Sequence, residues 1–286
     1  LKIFYIGSAG PLSLQPLNAL LNRGHDICGV GVDRQQPPTG QQSLTLLASQ
    51  EAQSVEVLAR AKKVPLVDLS QPLPEVINEV TGMEPDMILV SCYEHRLADE
   101  LLAMSPLGAF NIHPSLLPAF RGPVPLFWQF RVGIDHFGLS LHRMTGQLDA
   151  GPVICRQSVQ MPDGVTMAEA TLRLASQTKS LLENALPLIS RQLRGEEQNE
   201  VDASYQTFPQ QEDFEVSTAW PARRIFNFMR ATAHMGQIYR CQYNGMDLRL
   251  RHALTYSADG ISDGSVDPEI TIEIACSPGT LVASYY

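Results

Sequence analysis

Residues 109–122 read Ala-Phe-Asn-Ile-His-Pro-Ser-Leu-Leu-Pro-Ala-Phe-Arg-Gly, and the first six of them set the architecture. Ala109 to His113 alternate apolar and polar, the period of a strand, and Pro114 stops it. Residues two apart on a strand share a face, so Asn111 and His113 point one way while Phe110 and Ile112 enter the opposite layer. The abrupt stop leaves both polar side chains at the C-terminal edge, where open α/β sheets build their ligand crevices. Taken in isolation, the pair also fits a surface asparagine and a histidine satisfied within a core.

Working outward, strand-like and helix-like segments alternate over residues 1–195, as a parallel α/β sheet requires. Lys2 to Ile6 is a strand-like run that ends in Gly7-Ser8-Ala9-Gly10. A helix follows through Leu14, Leu17, Leu20 and Leu21, closed by Gly24, and Ile27 to Val32 forms the second strand. Asp33 to Ser43 reads as a long polar loop, and helical spacing resumes near Val55 to Ala61. Met87 to Val90, Gly138 to Met144 and Pro152 to Val159 read as further strands. Thr166 and Glu169 have capping-box spacing and open a long helix that Gly195 can close, with Pro187 expected to kink or interrupt it.

Residues 196–210 are polar and aperiodic and read as a linker. Beyond them lie a helix at about Thr218 to Ala231 and a β-rich tail. In the tail, Asn244-Gly245 signals a type I′ hairpin, and Ile270, Ile272 and Ile274 alternate with polar residues before Ser277-Pro278-Gly279. The expected organisation is a Rossmann-like parallel-sheet domain at 1–195, a linker at 196–210, and a small β-barrel or curled sheet at 211–286.

Composition narrows the chemistry. The chain has 286 residues, 44% hydrophobic and 18% charged, which excludes global disorder. Its net charge of −9 argues against sequence-independent nucleic-acid binding. No run approaches the ~18 apolar residues of a membrane span, and the start carries no signal-peptide pattern, so no membrane partner is expected. Cys28, Cys92, Cys155, Cys241 and Cys276 are scattered without C-x-x-C spacing; no metal is expected, and a reduced, cytoplasmic chain is. Gly7 to Gly10 lacks G-x-G-x-x-G, so Asp33 after strand two is weak evidence for a nicotinamide cofactor.

A second polar feature, Asp149 in Gln147-Leu148-Asp149-Ala150-Gly151, follows the strand after His113. An Asp before a small residue and Gly is commonly a turn residue, yet such a turn can return a carboxylate to the same sheet edge. The set Asn111-x-His113-Pro114-Ser115-Leu116-Leu117-Pro118-x-x-Arg121-Gly122, then Leu148-Asp149-x-Gly151, resembles the 10-formyltetrahydrofolate-dependent formyltransferases. The likeness covers nearly the whole chain, from Lys2 to Gly7 through Pro85 to Gly122 and on to Ile225 to Ala231. It is closest in layout to the methionyl-tRNA and sugar-nucleotide N-formyltransferases, which carry a C-terminal domain.

The resemblance implies a catalytic trio of Asn111, His113 and Asp149, an OB-like C-terminal barrel, and 10-formyltetrahydrofolate as formyl donor without a metal. It implies folate contacts at Val90, Ser91, Cys92, Tyr93, Glu94 and Leu97, although methionyl-tRNA enzymes have Ala-Tyr-Gly where Cys92-Tyr93-Glu94 stands. Cys92 reads as a small filler, since the transfer needs no covalent intermediate. Ser115 to Gly122 is expected to loop over the crevice, with Ser115 and Arg121 as substrate contacts, or with Arg121 locking the loop instead.

For the acceptor, an amino-sugar nucleotide or similar small amine is favoured over methionyl-tRNA. Glutamines fill Asp33 to Gln42 where the tRNA enzymes show Arg and Lys, and from Tyr205 onward six arginines face nine acidic residues. Gly122 to Trp128 and His142-Arg143-Met144 are also closer to the sugar-nucleotide enzymes. Hydrolysis of the donor, and folate binding without turnover, are the remaining alternatives, and a homodimer is compatible with the resemblance.

Overall fold

The computed structural model describes residues 1–34, 54–258 and 270–286. From residue 35 on, the polar loop expected after the second strand lies outside them. The N-terminal elements are β1 (Lys2–Gly7), α1 (Pro11–Asn22), β2 (Asp26–Val32), α2 (Val55–Ala61), β3 (Leu66–Asp68) and α3 (Leu73–Gly82). After them come β4 (Met87–Ser91), α4 (Asp99–Ala103), β5 (Ala109–His113), α5 (Pro125–Val132), β6 (His136–Arg143), β7 (Val153–Gln160) and α6 (Met167–Ser190). The strands form one seven-stranded sheet in the order β3-β2-β1-β4-β5-β6-β7. From β3 to β5 the pairs are parallel, and β6 runs antiparallel to β5.

The parallel strands are apolar on both faces because helices cover both, as in β1, where Ile3, Phe4, Tyr5 and Ile6 are all buried. Phe4, Ile6, Val67, Val80, Ile88 and Val90 belong to one core cluster, each side chain contributing roughly 1.5–3 kcal/mol by burial. Strand order reverses between β1 and β4, so their C-terminal ends form a switch point. Serines close the edge there: Ser13 Oγ donates to the Ser91 carbonyl and Ser8 Oγ to the Cys92 carbonyl, each at 2.6 Å.

Helix α6 opens with the expected capping box: Glu169 Oε2 accepts from the Thr166 N–H at 2.8 Å, and Thr166 Oγ1 accepts from the Glu169 N–H at 3.2 Å. It is not interrupted at Pro187, because the buried stripe Leu174, Leu181, Ala185, Leu186 and Ile189 outweighs the roughly 3 kcal/mol an interior proline costs. It ends at Ser190, ahead of Gly195. Gly195 serves a close approach instead, since a Cβ there would sit 2.8 Å from the Val153 carbonyl oxygen.

Contacts divide the chain into two compact units. The first is Leu1–Gly122, Gly138–Val159 and Thr171–Tyr205; the second is Pro123–Phe137, Gln160–Ala170 and Gln206–Tyr286. The second unit holds β8 (Glu215–Val216), α7 (Ala222–Thr232), β9 (Tyr239–Tyr243), β10 (Met246–Ser257), β11 (Thr271–Ala275) and β12 (Thr280–Tyr285). Helix α7 begins four residues later than its apolar spacing suggests, because Pro221 at the N-cap suits a helix start and not its interior. Asn244 and Gly245, both left-handed at φ 49° and 78°, join β9 to β10 as expected.

The second sheet has the order β11-β12-β10-β9-β8, and among the described residues no pairing joins β11 to β8 to close a barrel. The core of this unit is aromatic. Phe228 of α7 lies 5.4 Å from the ring of Phe127 on α5 and 5.8 Å from that of Tyr239 on β9, with Phe214 beside all three.

Candidate active site

Strand β5 ends at the C-terminal edge with Asn111 half-buried and His113 4% exposed. The antiparallel register sets Asn111 opposite His142 and His113 opposite Ser140 on β6. Since Ser140 and His142 are also two apart, four polar residues share one face of this strand pair. Beyond β5, the loop 114–122 turns back over His113, and the Phe120 carbonyl lies 2.8 Å from His113 Nε2. A carbonyl can only accept, so Nε2 carries the proton. The other ring nitrogen, Nδ1, faces Asp149 Oδ2 at 3.6 Å, where a second proton would be shared if the ring were charged.

Asp149 is 6% exposed and is reached by three groups. The Gly122 N–H donates to Oδ2 at 2.9 Å, His113 stands beside that oxygen, and His142 Nε2 lies 3.5 Å from Oδ1. Burial alone would raise the Asp149 carboxyl; the charges of His113 and His142, a hydrogen bond from His142 and the Gly122 N–H together hold it down at about 2. The His113 imidazole is pushed below its ordinary value, first by burial and also by His142, with Asp149 and the Phe120 carbonyl opposing. The resting pair is therefore an ionised carboxylate beside a neutral imidazole at pH 7.

Two left-handed residues carry this geometry, Phe120 at φ 61° and Asp149 at φ 53°, each costing roughly 1–2 kcal/mol for a residue with a Cβ. Gly122, at φ 114°, turns its N–H toward the carboxylate. Gly151 allows the Asp149 loop to press on β6, since a Cβ there would fall 2.0 Å from the Arg143 carbonyl oxygen.

His142 did not stand out from the sequence as a site residue, although its two-residue spacing from Ser140 repeats that of Asn111 and His113. Its Nδ1 lies 3.0 Å from the Arg143 carbonyl and so carries a proton, while its Nε2 stands between Asn111 Nδ2 at 3.4 Å and Asp149 Oδ1 at 3.5 Å.

The trio thus meets at one edge, while the remaining predicted positions fall into two groups. Val90 and Leu97 are core residues, and buried Ser91 donates its hydroxyl to the Leu12 carbonyl at 2.6 Å. Cys92 is left-handed at φ 53°, and burial, then the Glu94 carboxylate, pushes its thiol up to about 12, which suits a filler and not a nucleophile. Tyr93 is partly buried and Glu94 exposed. Among the described residues, the main-chain N–H groups of Tyr93 to Arg96 meet no acceptor. Ser115 is buried and donates to the Ala119 carbonyl at 2.7 Å within its own loop. Arg121 is 7% exposed, its guanidinium bound to Gln198 and Glu200. Among the described residues no group of three or more His, Cys, Asp or Glu is placed to hold a metal, and no helix is long and apolar enough to cross a membrane.

Known proteins share this fold. A family model described as formyl transferase matches residues 1–186. The methionyl-tRNA formyltransferase of Herpetosiphon aurantiacus is 29% identical over 236 residues, 81% of this chain and 74% of that protein. An N-formyltransferase from Helicobacter canadensis, solved with folinic acid and dTDP-3-aminofucose, has the same fold at a TM-score of 0.70 and 14% identity, covering 100% of both chains. A variant of HypX from Aquifex aeolicus aligns at a TM-score of 0.62 and 16% identity over 99% of this chain but 45% of HypX, so this chain spans less than half of that protein. Since the family match runs from β1 into α6 and takes in the strand end and the turn that bring His113 and Asp149 together, this chain belongs to the formyl transferase family.

Proposed function

We propose that the protein transfers the formyl group of 10-formyltetrahydrofolate to the primary amine of a small acceptor, an amino-sugar nucleotide or a chemically similar metabolite. The observation that carries the transfer is the meeting of Asn111, His113 and Asp149 at one sheet edge. The bound folate supplies the formyl carbon. The amine nitrogen bonds to that carbon, the bond from carbon to the folate nitrogen breaks, and one amine proton ends on the leaving nitrogen.

Asn111 donates to the formyl oxygen as it gathers negative charge. His113, beside the Asp149 carboxylate, accepts and returns the travelling proton, with Asp149 stabilising the charged ring. To touch substrate, His113 Nε2 must exchange the Phe120 carbonyl for a substrate atom. The free N–H groups of Tyr93 to Arg96 at the switch point suit the polar edge of a pterin. Asn111, His113 and Asp149 are the catalytic residues of this reading, and Val90 to Leu97 its folate-binding segment. All five cysteines are free thiols, which fits a reducing cytoplasm. The five-stranded unit is the OB-like accessory module of this reading.

The acceptor choice rests on charge: −9 overall, with six arginines against nine acidic residues from Tyr205 onward, is a poor surface for tRNA phosphates. A second reading, methionyl-tRNA as acceptor, is favoured by the Herpetosiphon aurantiacus relative. Incubation with 10-formyltetrahydrofolate and a panel of amines, amino-sugar nucleotides and methionyl-tRNA among them, is expected to give a mass-shifted small-molecule amide. Formylation of methionyl-tRNA alone would refute the acceptor assignment, and absence of any formylated product would refute the transferase reading.

A further inference from the structure

The segment 196–205 crosses both loops that build the site. Its start pairs with β7, where Val153 and Glu196 exchange main-chain hydrogen bonds at 2.8 Å. Further on, the Arg121 N–H donates to the Ser204 carbonyl at 2.9 Å, and Ser204 Oγ accepts from the Phe120 N–H at 2.8 Å. Between these points stands Gln198, half-buried. Its Nε2 donates to the carbonyls of Asp149 at 2.8 Å and Gly151 at 2.7 Å. Its Oε1 accepts from Arg121 Nε at 3.1 Å and from a terminal guanidinium nitrogen at 2.9 Å. Two donors and two acceptors fill the whole capacity of a primary amide.

The two residues this segment grips by their main chains, Phe120 and Asp149, are the left-handed ones whose backbone conformation aims a carbonyl and a carboxylate at His113. Strained conformations persist where surrounding bonds over-determine them, and Gln198 with Ser204 supplies such bonds on both loops at once. We propose that Gln198 is a positioning residue for formyl transfer, clamping the loops 114–122 and 145–151 together so that the Asp149 carboxylate is held against His113 Nδ1. Arg121 is the far jaw of the clamp, and its guanidinium is committed to Gln198 and Glu200, not offered to substrate.

The proposal rests on the transferase reading, so the test includes a readout independent of turnover. Gln198→Ala removes the clamp; Gln198→Glu keeps acceptors for Arg121 and loses the N–H donors to the two carbonyls. Both variants are expected to lower kcat by about tenfold to a hundredfold, with KM for the folate donor within about twofold, because a displaced catalytic group and not a lost binding contact is at issue. In protein labelled with 15N-histidine, the ring resonances of His113 and their titration, set first by burial and then by the facing Asp149, are expected to move in both variants. Ser204→Ala, which frees the Phe120 N–H, serves as a milder second variant with the same direction of change. Unaltered kcat together with unaltered His113 resonances in folded Gln198→Glu would overturn the assignment. If wild-type protein transfers no formyl group while the His113 resonances still respond to Gln198→Glu, the transferase reading fails and the clamp stands as a property of the loops alone.

Discussion

Asp149→Asn separates charge from shape at the candidate site. The substituted amide can still accept from the Gly122 N–H, now 2.9 Å from the carboxylate, so the loop keeps its anchor. Lost is the negative charge 3.6 Å from His113 Nδ1. At an effective dielectric constant of ~20, that separation corresponds to about 4–5 kcal/mol of attraction for a charged imidazole, before the cost of burying the pair is subtracted. Neighbouring opposite charges ordinarily shift a pKa by about 1–3 units, or roughly 1.4–4 kcal/mol, and that range is the better guide here.

The His113 titration, already below its ordinary value through burial, is therefore expected to fall further in Asp149→Asn. If the charged ring stabilises the transfer step, kcat should drop by about tenfold to a thousandfold at pH 7. Single-turnover formyl transfer measures the rate, and 15N resonances of His113 measure the titration. Turnover within about threefold of wild type, or a His113 midpoint that rises, would refute the reasoning that the carboxylate sustains the ring's charge.

Three further outcomes follow from the same geometry. Asn111→Ala removes the donor expected at the formyl oxygen and should cost about 10²–10³ in kcat at a nearly unchanged donor KM; a loss confined to KM would place Asn111 in binding instead. Asp149 titrates at about 2 in the fold against an ordinary 3.8, so its contribution of roughly 2 kcal/mol is complete above about pH 4 and drains away as pH falls toward 2. His113, also lowered, acts in the same direction below about pH 6.5. The wild-type urea midpoint should therefore fall on acidification, most steeply between about pH 4 and 2.5, and a midpoint unchanged from about pH 7 to 2.5 would contradict the assignment. Phe228→Ala opens a cavity among Phe127, Phe214 and Tyr239 and should cost about 3–5 kcal/mol by chemical denaturation; a loss below about 1 kcal/mol would mean those rings do not form the core of the second unit.

The elements that sequence resolved best are those whose cause is local. Pro114 ends β5, Thr166 and Glu169 cap α6, and Asn244-Gly245 turns β9 into β10, each within a few residues and each by a fixed stereochemical preference. Asn111 and His113 were legible as a same-face pair for the same reason, the two-residue period of a strand. Pro187 shows where local preference yields, since the apolar stripe of α6 carries the helix past it.

What tertiary structure alone decided is which distant groups close on that pair. Register set His142 against Asn111, the return of the 114–122 loop set the Phe120 carbonyl on His113, and Gln198 arrived beside Arg121 from 77 residues further along the chain. Such contacts are selected by the summed packing of the sheet and its loops, and no short stretch of sequence carries that sum. The chain by itself therefore determined the strand, its stop and the residue types able to move a proton; folding determined which neighbours make Asp149 a stable anion and His113 a neutral ring beside it.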